Sequence, residues 1–274
     1  MATQSSSSES SAKEVGTTLK SVLGRGFSLL ALFVLGFFKD RKGQLMLALG
    51  ILPVVVIIIT GIAPSAPGQA MNRYIDTIGS VYGAILVPLL GLLLGMAALS
   101  DEIESHTIVQ LVSRPITRVE ILIWRYIATL IAGTLMLIIA TSFLFGWFAL
   151  VAGLGAESMS LDLLPRTWAY IGLCNAVYCA IFMLLGIALK RPLFWGVIVA
   201  LYEQLLGVIF SFIGGQAYSL SAHIRNVGRT IFSYTPGSWL IDGWTPEASG
   251  IILLALVAGS LIIAAFLFKI KDLS

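Results

Sequence analysis

Charge is the property that this sequence has least of. Only 11% of its 274 residues are Asp, Glu, Lys or Arg, whereas a typical water-soluble domain carries about 25%. Hydrophobic residues make up 58% of the chain, and its mean hydropathy is +0.95. A soluble fold would need more polar surface than this composition supplies, which argues against an ordinary soluble domain. The composition instead predicts a membrane protein with several spans.

Cysteine and histidine are also scarce, with two residues of each. This scarcity excludes a disulfide framework and the paired cysteine spacings of zinc sites. Cys174 and Cys179 lie in one apolar run, and we interpret them as small, buried apolar side chains. His106 and His223 are predicted to lie on opposite sides of the membrane, so they cannot share a metal ion. We expect no metal and no cofactor in this chain.

Motifs for catalysis and for nucleotide binding are missing. The sequence has no GxxxxGK[ST] phosphate-binding loop, no HExxH and no GxSxG. Too little chain lies outside the apolar runs to hold a nucleotide-binding domain. We therefore do not expect an enzyme, and no feature predicts binding to nucleic acid.

The chain does contain six apolar runs, each about as long as the roughly 20 residues that cross a bilayer. The third run is longer than a span requires and is expected to tilt or to protrude. The sequence thus predicts an all-α membrane protein with six transmembrane helices. The predicted spans are Gln44–Ala63, Gly79–Leu99, Ile121–Gly153, Trp168–Leu189, Leu193–Ile213 and Ile251–Phe268.

Positive charges are distributed unevenly between the two sides of this six-span plan. With a cytoplasmic N-terminus, only Arg73, Arg166, Arg225 and Arg229 of the 17 Lys and Arg residues lie outside. Short cytoplasmic segments of membrane proteins carry an excess of Lys and Arg. We therefore predict a multi-pass protein of the cell membrane with both termini in the cytoplasm.

The N-terminal segment is expected to lie outside the six spans. Residues 1–18 are rich in Ser and poor in large apolar residues, which predicts a disordered tail. Residues 19–42 contain an apolar stretch, 26–38, that is too short to cross a membrane comfortably. We favour a helix lying along the cytoplasmic interface, with a seventh span as the alternative if Arg25 snorkels. Residues 43–274 then form the six-span domain.

Pro and Gly mark special positions in the first two spans. Pro53 and Pro88 each remove a backbone donor from a helix interior, which predicts a kink in the helix. Gly91 and Gly95 form a GxxxG pair that permits close helix contact. We interpret that pair as packing within one subunit in preference to dimerisation.

The longest predicted outer loop, Gly214–Gly250, is rich in aromatic residues that favour membrane interfaces. Its semi-apolar piece, Val227–Tyr234, suggests a short helix that dips back into the outer leaflet. Such a helix needs its ends buried by protein, because lipid cannot satisfy free backbone groups.

Glu203 stands alone among apolar residues in the middle of the fifth predicted span. An acidic residue in lipid is costly and normally faces protein or a water-filled path. Two readings stay open, namely a residue of a translocation pathway and a hydrogen-bonded packing residue. The first reading includes an alternative function, a secondary transporter in which Glu203 carries a proton.

Charge is concentrated in residues 101–125, between the second and third spans. Ser100 can cap a helix that begins there, with Asp101 and Glu102 at its positive end. An apolar stripe follows at helical spacing, and Arg114 before Pro115 ends the helix. The stripe consists of Ile103, Thr107, Ile108 and Leu111. A stripe of this size is typical of a helix that lies in a partner's groove.

The next residues form a capping box. Thr117 is followed three positions later by Glu120, so each side chain can accept a hydrogen bond from the other's backbone N–H. This pattern predicts that the third span begins here.

The charged segment carries a family resemblance. Its pattern is Glu102-x-Glu104-x-x-Thr107 followed by Leu111-x-Ser113-Arg114-Pro115-Ile116-Thr117-Arg118-x-Glu120-Ile121-Leu122. This pattern resembles the signature of ABC type-2 permeases, the membrane subunits of a class of ABC exporters. The six-span plan, the interfacial N-terminal helix and the long outer loop are similar as well. His106 departs from the pattern, which commonly has a small residue there.

The resemblance implies a function. In such permeases a cytoplasmic coupling helix between spans two and three docks on an ATPase subunit. It implies here that the coupling residues are Glu102, Ile103, Glu104, Thr107, Ile108, Leu111, Arg114 and Arg118. It also implies two copies of a separate ATPase that binds ATP and Mg²⁺, and a second permease copy that forms a homodimer or a related heterodimer. Nothing in the sequence identifies the substrate.

Overall fold

The computed structural model describes a chain that is helical almost throughout its described residues. The described residues are 30–31, 33–36, 38–39, 41–60, 67–97, 117–152, 159–189, 191–213, 218–233 and 244–270. The helices in this part of the chain are α1 (Arg41–Thr60), α2 (Pro67–Thr77), a π-helix (Ile78–Leu86), α3 (Val87–Ala97), α4 (Arg118–Ala152), α5 (Leu163–Ala188), α6 (Pro192–Ile213), α7 (Leu220–Phe232) and α8 (Pro246–Ile270). The predicted all-α class is confirmed, whereas the predicted tail, 1–18, lies outside the described residues.

Four helices are long and apolar enough to cross a membrane. They are Gln69–Met96, which includes the π-helix, and Val119–Ala152, Leu163–Ala188 and Pro246–Ile270. The first and fifth predicted spans are also helical, as α1 and α6. Their described apolar stretches are shorter, Gly43–Ile59 and Pro192–Glu203. The structure therefore supports a multi-span membrane protein, and the count of six spans stays a prediction.

The third predicted span is the longest helix among the described residues. α4 contains 35 residues, which at 1.5 Å per residue gives a length of about 52 Å. The hydrocarbon core of a bilayer is about 30 Å thick. The helix therefore exceeds a single perpendicular crossing, as the sequence predicts.

α5 lies at the centre of the bundle and packs against α3, α4 and α8. Close contact with α3 depends on the GxxxG pair. A Cβ added at Gly91 would lie 2.8 Å from the Cβ of Tyr178, and one added at Gly95 would lie 3.0 Å from the Cβ of Phe182. Both distances are too short for side chains to coexist without a shift. The predicted role of this pair in packing within the subunit is confirmed.

The sequence predicts a kink at Pro88, and the structure has a π-helix just before it. This segment, Ile78–Leu86, ends shortly before Pro88. Pro88 has no backbone N–H, so it cannot continue the regular hydrogen-bond ladder. The wider π-helical turns also bring Gly83 against α5, where an added Cβ would lie 2.8 Å from the Tyr170 hydroxyl oxygen. Pro53, by contrast, lies inside the uninterrupted helix α1.

Polar side chains connect the helices inside the bundle. Asn175 of α5 donates from Nδ2 to the carbonyl of Leu130 and to Oγ1 of Thr134, both at 3.1 Å. The Tyr126 hydroxyl donates to the carbonyl of Ala176 at 3.0 Å. In an apolar surrounding such bonds favour one arrangement of the helices, because an unpaired polar group has no water to replace its partner. The two cysteines of α5 are buried free thiols, as predicted.

Large apolar side chains are exposed on the outside of the bundle. Ile59 on α1, Leu205 on α6 and Leu254 on α8 are all more than half exposed. A soluble monomer rarely exposes extended apolar surface of this kind. The outer faces of these helices therefore suit contact with lipid.

Candidate functional site

Most of the predicted coupling segment lies outside the described residues. This holds for Glu102, Ile103, Glu104, Thr107, Ile108, Leu111 and Arg114. Arg118 is the first residue of α4, and only its backbone is described. The described part of this region begins at Thr117.

The capping box at the start of α4 is confirmed. The Thr117 N–H donates to Oε2 of Glu120 at 3.0 Å, and the Glu120 N–H donates to Oγ1 of Thr117 at 3.2 Å. These reciprocal bonds satisfy two donors that a helix start leaves without intrahelical partners. The carboxylate of Glu120 also lies at the positive end of the helix. The chain that leaves the coupling segment therefore enters α4 through a well-defined start.

Arg125, about two turns into α4, contacts the N-terminal segment. Its guanidinium carbon lies 4.0 Å from the ring centroid of Phe33, a distance typical of a cation–π contact. The described residues around Phe33 are helical, namely 30–31, 33–36 and 38–39. The predicted N-terminal helix thus lies beside the first turns of α4.

Glu203 of α6 binds the N-terminus of α7. Its Oε1 accepts a hydrogen bond from the backbone N–H of Ser221 at 2.7 Å and another from the hydroxyl of Ser219 at 2.8 Å. The two serines also contact each other, with their hydroxyl oxygens 2.9 Å apart. Glu203 is therefore a hydrogen-bonded residue that joins two helices, which agrees with the second of its two readings.

Arg166 of α5 binds the opposite end of α7. Its Nη1 donates to the carbonyl of Phe232 and to the hydroxyl of Ser233, both at 3.2 Å. Its Nη2 pairs with Oδ2 of Asp162 at 2.9 Å. A hydrogen bond from the Ser160 hydroxyl, followed by the charge of Arg166, holds the pKa of the Asp162 carboxyl below its usual range.

A third set of contacts joins the side of α7 to α8. Nδ1 of His223 lies 3.0 Å from the hydroxyl of Ser249, and its ring packs edge-on against Trp244. Nδ2 of Asn226 donates to the same hydroxyl at 2.8 Å and to the carbonyl of Trp244 at 3.2 Å. Asn226 in turn accepts a hydrogen bond from Nη1 of Arg229 at 3.0 Å. α7 is thus attached to three neighbouring helices.

The outer segment does form a short helix, as predicted, but the helix begins earlier than predicted. The sequence suggested Val227–Tyr234, whereas α7 covers Leu220–Phe232. The early residues of α7 alternate between apolar and polar types and precede the predicted helix. Glu203, on another helix, caps their first turn, a contact that no local pattern shows.

The sequence identifies Arg225 only as an outer positive charge, whereas in the structure its side chain faces the bundle. Nε of Arg225 is buried and has no hydrogen-bond partner among the described residues, and the same holds for the Tyr178 hydroxyl. The signal that could have found Arg225 is its helical spacing of four from Ser221 and from Arg229.

No group of three or more His, Cys, Asp or Glu side chains that could hold a metal ion occurs within the described ranges. The polar contacts of the site lie instead at the ends and along one side of α7. Their arrangement serves to fix a short helix between α5, α6 and α8.

Comparison with known proteins gives the family. The family model described as ABC-2 family transporter protein matches residues 1–273, nearly the whole chain. A search of curated proteins found no match. Since the match extends over all the described helices, this chain belongs to the ABC-2 transporter family and is a membrane protein of that family.

Proposed function

We propose that this chain is the permease subunit of an ATP-driven exporter. Two permease copies, identical or related, would form the substrate pathway, and two separate ATPase chains would bind ATP and Mg²⁺. The observation that carries this proposal is the family match over residues 1–273. The sequence contains no phosphate-binding loop, in agreement with ATP chemistry on another chain.

Residues 101–120 are proposed to couple the permease to the ATPase. The apolar side chains Ile103, Ile108 and Leu111 would anchor the docking helix, and its charged residues would orient it. The capping box supports this role, because its two reciprocal hydrogen bonds fix the backbone at the point where α4 begins. α4 packs against α1, α2, α3, α5 and α8. A displacement of the docking helix would therefore reach all of these helices through α4.

Both termini are proposed to lie in the cytoplasm, with the protein in the cell membrane. The contact between Phe33 and Arg125 supports an N-terminal helix at the cytoplasmic interface. Arg125 is near the proposed inner end of α4, so Phe33 lies at that depth as well. In a seventh span through 26–38, Phe33 would lie near the middle of the bilayer.

Glu203 is proposed to belong to the translocation pathway through the hydrogen bonds by which it joins α6 to α7, so its packing role and its pathway role are compatible. It lies midway along α6 and joins that helix to α7. No contact of the described residues specifically favours the alternative, a proton-coupled secondary transporter that uses Glu203. That alternative predicts transport that follows a proton gradient and needs no ATP.

The test is purification of the tagged chain from its own cells, followed by identification of the proteins that copurify. We expect an ATPase with a phosphate-binding loop in equal amount, and transport in proteoliposomes that requires ATP and this second chain. ATP-dependent transport by the chain alone would refute the proposal. Transport driven by a proton gradient without ATP would replace it with the secondary transporter.

A further inference from the structure

α7 is held at both ends by side chains of opposite charge type from two different helices. The carboxylate of Glu203, on α6, accepts the N–H of Ser221 in the first turn of α7. The guanidinium of Arg166, on α5, donates to the carbonyl of Phe232 in the last turn. The two ends are therefore fixed independently of each other.

Each contact is matched to the helix end that it meets. The first N–H groups and last C=O groups of a helix have no intrahelical partners, and the helix dipole makes the first end positive and the last end negative. A carboxylate suits the first end and a guanidinium suits the last. Bonds to such groups are stronger than neutral ones. In a membrane they also replace water that is not available.

Position along α6 shows how deep α7 begins. Glu203 lies about ten residues before the end of α6 at Ile213, which corresponds to about 15 Å along the helix axis. α7 has 13 residues and is therefore about 20 Å long. It ends at Phe232, whose ring lies 5.5 Å from that of Tyr170 near the start of α5. α7 therefore extends from mid-depth of the bundle to the end at which α5 begins.

The attachment of α7 is uneven. Among α5, α6 and α8, α7 packs most extensively against α8 and least against α6. The polar contacts with α8 run along its side, through His223, Asn226 and Ser249. The described hydrogen bonds to α6, by contrast, all end on one oxygen of Glu203. If α7 separates from a neighbour, the separation falls between α6 and α7.

We propose that Glu203 and Arg166 are positioning residues that hold α7 as the outer closure of the bundle, and that opening of the outer side breaks the Glu203 contact while α7 stays on α8. This proposal rests on the proposed function for the outer location of α7 and for the statement that opening serves transport. The role of Glu203 is to accept two hydrogen bonds. A change of its charge is not part of the step.

The native cysteines provide a test that requires neither a substrate nor the ATPase. Both thiols are on α5, buried and free. Cys174 is one turn further in from Tyr170, which packs against Phe232 of α7. Cys179 instead donates to Oδ1 of Asn175. In a Cys179→Ser background, the rate at which a membrane-impermeant methanethiosulfonate modifies the buried Cys174 from outside reports on access to the interior of the bundle beside α7.

Substitutions at Glu203 separate hydrogen bonding from charge. Glu203→Ala removes the acceptor and is expected to increase the rate of Cys174 modification about tenfold or more, as for loss of a hydrogen bond to a charged group. Glu203→Gln keeps an acceptor oxygen but forms weaker, neutral hydrogen bonds, and it is expected to raise the rate clearly less than Glu203→Ala does. Glu247→Ala is the matched control, because Glu247 is an exposed carboxylate in the first turn of α8.

Further variants keep the test decisive if Glu203→Ala folds poorly. Ser219→Ala removes one of the two donors to Glu203 and is expected to raise the rate about two- to threefold. Arg166→Ala is expected to raise it more than Asp162→Asn, which leaves the Arg166 contact with Phe232 in place. Equal rates for Glu203→Ala and the parent would overturn the proposal, as would a Gln variant as accessible as the Ala variant.

Transport assays separate this proposal from the proposed function. If the complex exports its substrate, Glu203→Ala should lower transport per ATP hydrolysed, and Glu203→Gln should restore it. Loss of transport in Glu203→Gln with unchanged Cys174 modification would show that the charge itself is needed, and would overturn the positioning role. Failure to find an ATPase partner would refute the exporter and leave the labelling result intact.

Discussion

The start of α4 and the start of α7 are both capped by a glutamate, but the two glutamates come from different places. Glu120 lies three residues from Thr117 in the same helix. Glu203 lies 16 residues from Ser219 and 18 residues from Ser221, on another helix. The first cap forms with its own helix, whereas the second forms only when α6 and α7 meet. A local cap therefore fixes where a helix begins, and a distant cap fixes where it lies.

This difference suits two different roles. A helix start that transmits a displacement from a docking segment needs a cap formed by residues of that same helix. A helix that must separate from its neighbours needs contacts that can be broken one at a time. The predictions below test the two starts, from the largest expected effect to the smallest.

The largest effect is expected just before the local cap, in the proposed coupling helix. Ile108→Ala combined with Leu111→Ala should weaken binding of the ATPase or reduce transport per ATP hydrolysed. Truncation of a buried interface anchor costs on the order of 2 kcal/mol or more. The measurement is ATPase binding and coupling in reconstituted complexes.

Glu104→Gln is the control for that pair, because a rim charge changes affinity less than a buried anchor. A double alanine variant that folds, binds the ATPase normally and transports with unchanged coupling would contradict the role of this segment. The capping box would then stabilise the start of α4 without a role in coupling to the ATPase.

The second effect concerns the local cap itself. Thr117→Ala and Glu120→Ala should each lower the free energy of unfolding by about 1 kcal/mol, since each removes one bond of the capping box. The double variant should cost less than the sum, because the two residues share one motif. Thermal unfolding in detergent is the measurement.

Glu247→Ala in the first turn of α8 is the control for this cap. Its carboxylate occupies a similar place in its helix without a capping box. Fully additive effects of the two substitutions would show that the Thr117 and Glu120 bonds act separately. Equal effects of Glu120→Ala and Glu247→Ala would show that only the helix dipole matters.

A smaller effect is expected where the N-terminal helix meets α4. Phe33→Leu removes the aromatic face under Arg125 and should weaken this contact by about 0.5–1 kcal/mol. We expect faster tryptic cleavage after Lys39 in the variant. Leu35→Ala is the control, since Leu35 is 62% exposed. Equal cleavage of all three proteins would show that the Arg125 contact does not hold the N-terminal helix.

The smallest effect concerns pH at the far end of α7. Ser160 and Arg166 lower the pKa of Asp162 below 3.8, so its carboxylate is stabilised by folding. That stabilisation is present above the unfolded pKa and is lost as the pH falls through the lower, folded pKa. The stability difference between the parent and Asp162→Asn should therefore stay constant from pH 8 to pH 5. A difference that shrinks within this range would contradict the lowered pKa.

Features with a local cause could be predicted from the sequence. The apolar runs predicted helices, and the capping box predicted the start of α4 to the residue. The Gly91 and Gly95 pair predicted close packing within the subunit, which its contact with α5 confirms. Each of these signals lies within a few residues along the chain, where helix geometry alone decides which groups meet.

The candidate site at α7 could be predicted only in part. The sequence predicts a short outer helix but not its first seven residues. It also identifies Arg225 only as a positive charge of the outer loop. Glu203 was singled out for its position in an apolar run, and two readings of it stayed open. The structure supplied the contact with Ser219 and Ser221, which joins segments that the sequence alone could not align.

The sequence by itself determined that this chain is a helical membrane protein, where its apolar helices lie and how α4 begins. Composition, periodicity and short-range capping are properties of neighbouring residues, so they do not depend on how the helices pack against each other. Only the tertiary structure decided that α5 is central and that α7 is held between Glu203 and Arg166. These features depend on how helices far apart in the sequence pack together, because in lipid each polar group must find its partner within the protein.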